Sequence, residues 1–172
     1  MVKLKYAAYG SNLHPVRLSE RTPSARYLGK TVLEGWALHF HKRSRDGSGK
    51  CNIVKDEMQQ IYIGVYEIDK SEKPLLDTIE AVDCGYRCEY IEVADFGRCF
   101  TYLADGTHID DSLRPYAWYK ALVLAGCETL AFPGSYTDRI HGFDAIDDPD
   151  KLRTARHREL LVRLREYNNP GT

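Results

Sequence analysis

No stretch of the chain stays apolar for the ~20 residues that a membrane-crossing helix needs. The first ten residues, MVKLKYAAYG, lack the long apolar core of a secretory leader, so a cytoplasmic location is expected. Neither sign of charge dominates. The 24 Lys and Arg against 25 Asp and Glu leave a net charge of −1, with no global pull toward nucleic acid or a membrane surface. No CxxC pair occurs among the five cysteines, and their odd number argues against a disulfide framework. Cys84 and Cys88 are spaced for one helical face, but they sit beside a strand-like stretch and no paired histidine follows. Cys51, Cys84, Cys88, Cys99 and Cys127 therefore read as buried free thiols rather than zinc ligands. The six histidines show no HExxH spacing, so no metal site is expected, and Ser11 stands in no GxSxG elbow.

Repeats, low-complexity tracts and long linkers are also missing. The 172 residues are expected to form a single domain, 1–172, with a helical C-terminal extension from about residue 147. A hydrophobic share of 43% with 28% charged residues suits an ordinary globular core.

Periodicity organises the rest. VKLKY alternates as a half-buried strand. ARYLGKTVLEGWALHFHKR reads as one or two strands, with Trp36, Leu38 and Phe40 on one face. KCNIVK and QIYIGVYEID read as further strands. Ser71 can cap a helix through EKPLLDTIEAV, with Leu75, Ile79 and Val82 toward the core. YRCEYIEVAD and RCFTYLAD return to strand. From Pro115 onward PYAWYKALVLAGC, GSYTDRIHGF and DKLRTARHRELLVRLREY read as helices. Strands fill the first two thirds and helices the last third. This predicts an α+β fold with a mainly antiparallel sheet or barrel rather than alternating βαβ units.

Three places carry candidate chemistry. In the first, Tyr9-Gly10-Ser11-Asn12-Leu13 joins a strand to a helix-like segment. Unpaired backbone N–H groups at such a junction suit an anion, Gly10 permits a tight bend, and Ser11 and Asn12 can cap or bind. A carboxylate fits better than a phosphate, since no P-loop lysine follows. A plain capped turn explains the same residues. The second is Glu80, at the border of an apolar helix face, where desolvation favours acid–base work; a solvated rim glutamate is the alternative. The third is Tyr119, on one helical face with Tyr116 and Val123, which either packs in the core or turns its hydroxyl into a pocket. The basic segment 151–165 packs Leu152, Leu160, Leu161 and Leu164. Its acidic neighbours DDPD favour a solvated face over nucleic-acid binding.

Taken in order, YAAYGSNL, then LLDTIEAVDCGYRCEYIEV after GVYEID, then YKALVLAG, the chain resembles the γ-glutamylcyclotransferase family over roughly residues 2 to 142. The resemblance implies a small closed β-barrel with packed helices. It implies an enzyme that works without a cofactor on a small-molecule γ-glutamyl substrate. The substrate α-amine attacks its own γ-carbonyl, releasing 5-oxoproline and an amino acid or amine. By resemblance Glu80 is the general acid/base, Tyr6, Ala7, Ala8, Tyr9, Gly10, Ser11 and Asn12 bind substrate, and Tyr119 points into the site. Family members often carry glycine directly after the acidic residue; here it is Ala81. Two rival readings stand beside this one. In the first, a γ-glutamyl group is removed from an amine or biosynthetic intermediate; in the second, the fold is a non-catalytic binding module. No nucleic acid or membrane partner is implied, and a homodimer is left open.

Overall fold

The computed structural model describes residues 2–167. In chain order it holds strand β1 (Lys3–Ala8), helix α1 (Pro15–Arg21), strands β2 (Arg26–Arg43) and β3 (Gly49–Asp69), and helix α2 (Lys73–Ile79). Strands β4 (Tyr86–Val93) and β5 (Gly97–Ala104) follow, then helices α3 (Ala117–Thr129), α4 (Gly134–His141) and α5 (Lys151–Arg165). Strands dominate the first two thirds and helices the last third, as the periodicity predicts, and the class is α+β. The expected single-domain span of 1–172 takes in Met1 and residues 168–172, which lie outside the described residues. No helix among the described residues is long and apolar enough to cross a membrane.

The five strands form one sheet in the order β2-β3-β1-β5-β4, antiparallel except for the parallel β1–β5 pair. The first strand is thus the central one, and the loop leaving it emerges from the middle of the fold. The sheet is open. No ladder joins β2 to β4 among the described residues, so backbone pairing does not make the closed barrel that the resemblance implies. It curls instead. Register shifts between Tyr27/Gly29, Glu34/Trp36 and His39/Lys42 break the β2–β3 hairpin, and such bulges bend and twist strands. The curl carries Cys51 and Asn52 of β3 to the far edge. There Asn52 Oδ1 accepts from the Ala104 N–H at 2.8 Å, and the Tyr86 hydroxyl donates to the Cys51 carbonyl at 2.5 Å. Side chains bridge where a ladder would have closed the barrel.

Two core expectations shift. Leu75 and Leu76 are adjacent, so only one can face inward on a helix with 3.6 residues per turn. The buried one is Leu76, while Leu75 and Ile79 are exposed and Val82 lies beyond the helix. Ser71 sits in a 3-10 turn, Lys70–Glu72, and makes no cap. On α5, Leu160, Leu161 and Leu164 pack inward, but Leu152 is exposed in the first turn. Helix α3 is buried nearly all round, from Trp118 to Cys127. A Cβ on Gly126 would lie 2.5 Å from the Leu13 Cβ and 3.0 Å from the His14 nitrogen. Glycine there lets α3 rest directly on the loop after β1. The thiols are free as expected, but only Cys51, Cys99 and Cys127 are buried; Cys84 is exposed and Cys88 intermediate.

Candidate active site

The loop after β1 is shaped by three anchors. The Tyr9 hydroxyl donates to the Tyr102 carbonyl, the Leu13 N–H donates to the Gly10 carbonyl at 3.0 Å, and the Tyr66 hydroxyl donates to the Leu13 carbonyl. Helix α1 starts only at Pro15. Its cap is His14, whose Nδ1 accepts from the Val16 N–H at 3.2 Å while Nε2 meets the Leu164 carbonyl at 3.1 Å. Burial lowers the His14 pKa, which suits this neutral, two-partner ring. Ser11 and Asn12 therefore do not cap α1, and the loop amides are not part of its first turn. They are free all the same: among the described residues, the N–H groups of Gly10, Ser11 and Asn12 donate to nothing. Gly10 is needed for close approach rather than for positive φ. A Cβ there would stand 3.0 Å from the Cys51 Cβ and 3.7 Å from the Tyr119 hydroxyl.

Glu80 is delivered by the way α2 ends. The Val82 N–H reaches back to the Asp77 carbonyl at 2.9 Å, and the Ala81 N–H to the Thr78 carbonyl at 3.1 Å. These are the two bonds of a Schellman stop, in which the residue after the cap is left-handed. That residue is Ala81, at φ 53°, where glycine is the usual occupant. Glu80 is the cap residue, and the stop turns its carboxylate toward the β1 loop. Glu80 Oε1 accepts from Asn12 Nδ2 at 2.9 Å and from Arg21 Nη1 at 2.9 Å. The same Arg21 nitrogen donates to Asn12 Oδ1 at 2.8 Å, and Asn12 Nδ2 also donates to the Tyr6 hydroxyl at 3.1 Å. The amide of Asn12 is thus used on both sides, which fixes which end is oxygen.

Tyr119 enters from α3. The β2–β3 bulge between His39 and Lys42 takes Cys51 out of the ladder. Its N–H donates to the Tyr119 hydroxyl at 3.2 Å, and its carbonyl accepts from Tyr86. Burial pushes the hydroxyls of Tyr6, Tyr9, Tyr86 and Tyr119 well above the ordinary phenol pKa, so all stay protonated and able to donate. Burial also pushes the Cys51 thiol up to about 12, which removes it as a thiolate nucleophile.

These groups meet in one small recess of about 20 Å³. Of the residues singled out from the sequence, Tyr6, Tyr9, Gly10, Ser11, Asn12, Glu80 and Tyr119 line it. Ala7 and Ala8 do not; they are buried in β1. Sequence reasoning missed Tyr102, on the strand β5 that pairs with β1, and Tyr86 and Cys51, which the sheet's curl brings together. It also missed Arg21, although Arg17 and Arg21 stand four apart on α1 and share a face toward the loop. The recess shares Ser11, Glu80, Tyr86 and Tyr119 with a groove of about 860 Å³. Arg153 and His157 of α5 line that groove, so the C-terminal helix forms part of its wall.

The chain is 27% identical over 157 residues to human gamma-glutamylcyclotransferase, covering 86% of this chain and 82% of the relative. It is 26% identical over 155 residues to the Bos taurus protein of the same name, with the same coverage. A solved gamma-glutamyl cyclotransferase superposes with a TM-score of 0.83 at 23% identity, over 94% of this chain and 99% of that one. An uncharacterized protein from Homo sapiens superposes at 0.82 with 24% identity, over 93% and 98%. No family model matches the chain. In sequence and in fold, the chain resembles the γ-glutamylcyclotransferases.

Proposed function

We propose that the protein is a γ-glutamylcyclotransferase-type enzyme that cleaves a γ-glutamyl amide by cyclisation. One observation carries this reading: the Glu80 carboxylate and the unpaired amides of Gly10, Ser11 and Asn12 border the same recess.

The chemistry follows from what each group can do. The α-carboxylate of the substrate sits on the loop amides. The glutamyl chain then folds back until its α-amine nitrogen faces its own γ-carbonyl, where proximity supplies much of the acceleration. The amine nitrogen attacks the carbonyl carbon and a ring C–N bond forms. Glu80 takes a proton from that nitrogen and passes it to the leaving amine as the original C–N bond breaks. Charge gathering on the carbonyl oxygen is met by preorganised donors, the loop amides and the protonated Tyr119 hydroxyl. Atoms balance as 5-oxoproline plus a free amine, with no water, metal or cofactor consumed. Arg21, Asn12 and Tyr6 hold Glu80 for this and are positioning residues.

The test is release of 5-oxoproline from γ-glutamyl dipeptides and γ-glutamyl amides by the wild type and by Glu80→Gln. Loss of a general acid/base costs on the order of 10²- to 10⁴-fold in rate. A Gln variant as active as the wild type removes Glu80 from the role. Silence of the wild type toward every γ-glutamyl compound removes the reaction.

A further inference from the structure

The groove beside the recess is lined by a lysine that the mechanism above does not use. Lys50 precedes Cys51 on β3, with 14% of its side chain exposed. Its ammonium donates to Asp46 Oδ2 at 2.8 Å and to Ser48 Oγ at 2.9 Å. Ser48 donates in turn to Asp46 Oδ1, from its hydroxyl at 2.7 Å and from its backbone N–H at 3.0 Å. The ammonium is thus held in one place by the β2–β3 loop. It has three N–H bonds, and this loop takes two. Aromatic faces surround the rest: Nζ lies 4.5 Å from the ring centre of Tyr119, 4.6 Å from that of Trp118 and 5.7 Å from that of Tyr116. The polar groups of the last two are spent elsewhere. The Tyr116 hydroxyl donates to the Asp46 carbonyl at 2.8 Å, and Trp118 Nε1 donates to Asp148 at 2.8 Å. Tyr119 alone of the three borders the recess, and a Cβ on Gly10 would stand 3.7 Å from its hydroxyl.

Packing alone does not call for a charge here. A methionine would cover the same rings, and burying an ammonium is costly. Burial lowers the Lys50 pKa, and the bond to Asp46 opposes that. What the charge adds is an effect on the ring beneath it. A cation over a phenol face is attracted to its electrons and favours their withdrawal from the oxygen, which makes the O–H a stronger donor. The next residue of β3 acts on the oxygen itself. The Cys51 N–H donates to it at 3.2 Å, which leaves the hydroxyl its own proton to give. Burial works the other way, holding the Tyr119 phenol well above its ordinary pKa. Two adjacent residues therefore oppose that burial, one at the ring face and one at the oxygen.

We propose that Lys50 is a positioning residue that acts through Tyr119: its ammonium, locked over the ring by Asp46 and Ser48, strengthens the Tyr119 hydroxyl as a donor to the carbonyl oxygen on which charge gathers. This rests on the cyclotransferase reading above. Such a donor matters most when the charge has formed, so Lys50 serves the transition state more than the bound substrate.

The test reads the phenol and the turnover separately. Difluorotyrosine is placed in the Tyr119 position, where the ring fluorines make the phenol acidic enough to titrate in the folded protein, and its ionisation is followed by absorbance. Lys50→Met should weaken this acid about tenfold, the scale of one desolvated cation–π contact, and Lys50→Arg should largely preserve it. Turnover is measured as 5-oxoproline release from a γ-glutamyl dipeptide by the wild type, Lys50→Met, Tyr119→Phe and the double variant. Lys50→Met should lower kcat about tenfold with KM little changed, and should cost less than about twofold when Tyr119→Phe is already present. If Lys50→Met does not fold, because Asp46 has lost its cation, Lys50→Met with Asp46→Asn takes its place throughout. An ionisation that the loss of Lys50 leaves unmoved overturns the proposal even where 5-oxoproline forms. An equal loss of kcat in both backgrounds does the same and makes Lys50 an anchor of the β2–β3 loop. So does a Tyr119→Phe variant as active as the wild type, since Lys50 then has nothing to act through. A tenfold weaker acid with no 5-oxoproline from any γ-glutamyl compound upholds the link from Lys50 to Tyr119 and overturns the reaction.

Discussion

Arg21 Nη1 lies 2.9 Å from Glu80 Oε1 and 2.8 Å from Asn12 Oδ1, so one guanidinium nitrogen ties the end of α2 to the loop after β1. Both partners are largely shielded from water, at 23% and 18% side-chain exposure, so this is not a loose surface pair. Arg21→Gln should leave the fold intact by circular dichroism, because the pair bridges two element ends rather than the core. Turnover should fall by about 10²-fold, the scale expected when a catalytic group drifts by about an ångström. Steady-state release of 5-oxoproline from a γ-glutamyl dipeptide checks it, with kcat falling more than KM rises. An unchanged kcat would show that Glu80 is positioned without Arg21.

Asn12 gives a sharper contrast. Its Nδ2 donates to both Glu80 and Tyr6, and its Oδ1 accepts from Arg21. Asn12→Ala removes all three bonds. Asn12→Asp removes the two donors and adds a negative charge where Nδ2 stood 2.9 Å from a carboxylate oxygen. The near-isosteric Asp variant should therefore be the less active and the less stable of the two. Thermal melts and 5-oxoproline assays on both variants measure this order, and the reverse order would mean that Arg21 absorbs the new charge.

The YGSN loop, Glu80 and Tyr119 were legible as candidates from their local patterns, each beside a plain structural reading, and it is the resemblance over the ordered set that joins them into one site. Their meeting in one recess follows from topology. Three features lay beyond the sequence, each for a physical reason. Bulges curl the long β2–β3 hairpin until Asn52 and Cys51 reach the far edge, but side chains rather than a ladder span the gap, so backbone pairing does not close a barrel. Cys51 and Tyr86 join the site because a bulge frees a backbone amide and carbonyl, which no periodicity records. Leu76 rather than Leu75 faces the core because two adjacent apolar residues fit a helical period equally well.

Ala81 is the departure from the family pattern that the structure makes measurable. It holds φ 53° at the left-handed position of the stop that ends α2. Left-handed backbone costs a non-glycine residue roughly 1–2 kcal/mol, partly offset by the lower chain entropy of alanine in the unfolded state. Ala81→Gly should therefore stabilise the protein by about 0.5 kcal/mol and raise its Tm by a few degrees. Activity should stay close to that of the wild type, since the same stop still aims Glu80. A lower Tm would mean that the Cβ of Ala81 packs more usefully than the strain costs.

His157 ties the C-terminal helix to the groove. Its ring stacks on Trp118, 3.6 Å between centroids and 10° from parallel. Burial, and then the cations Arg17, Lys50 and Arg153, push its pKa down from 6.5 to about 4. Above pH 6.5 the ring is neutral in both the folded and the unfolded chain and stability does not depend on it. As pH falls from 6.5 toward 4, the unfolded chain takes up a proton that the folded one refuses, so stability drops through that window. His14, also lowered by burial, adds to the same slope. His157→Phe keeps the stack on Trp118 and cannot titrate. Its Tm should fall less than that of the wild type between pH 7 and pH 4, while the two curves run parallel above pH 7. Parallel curves across the whole range would place the acid sensitivity elsewhere, with His14 the first residue to substitute next. A shallower acid limb would show that α5 is held against α3 through a ring that must stay uncharged beside the cations of the groove.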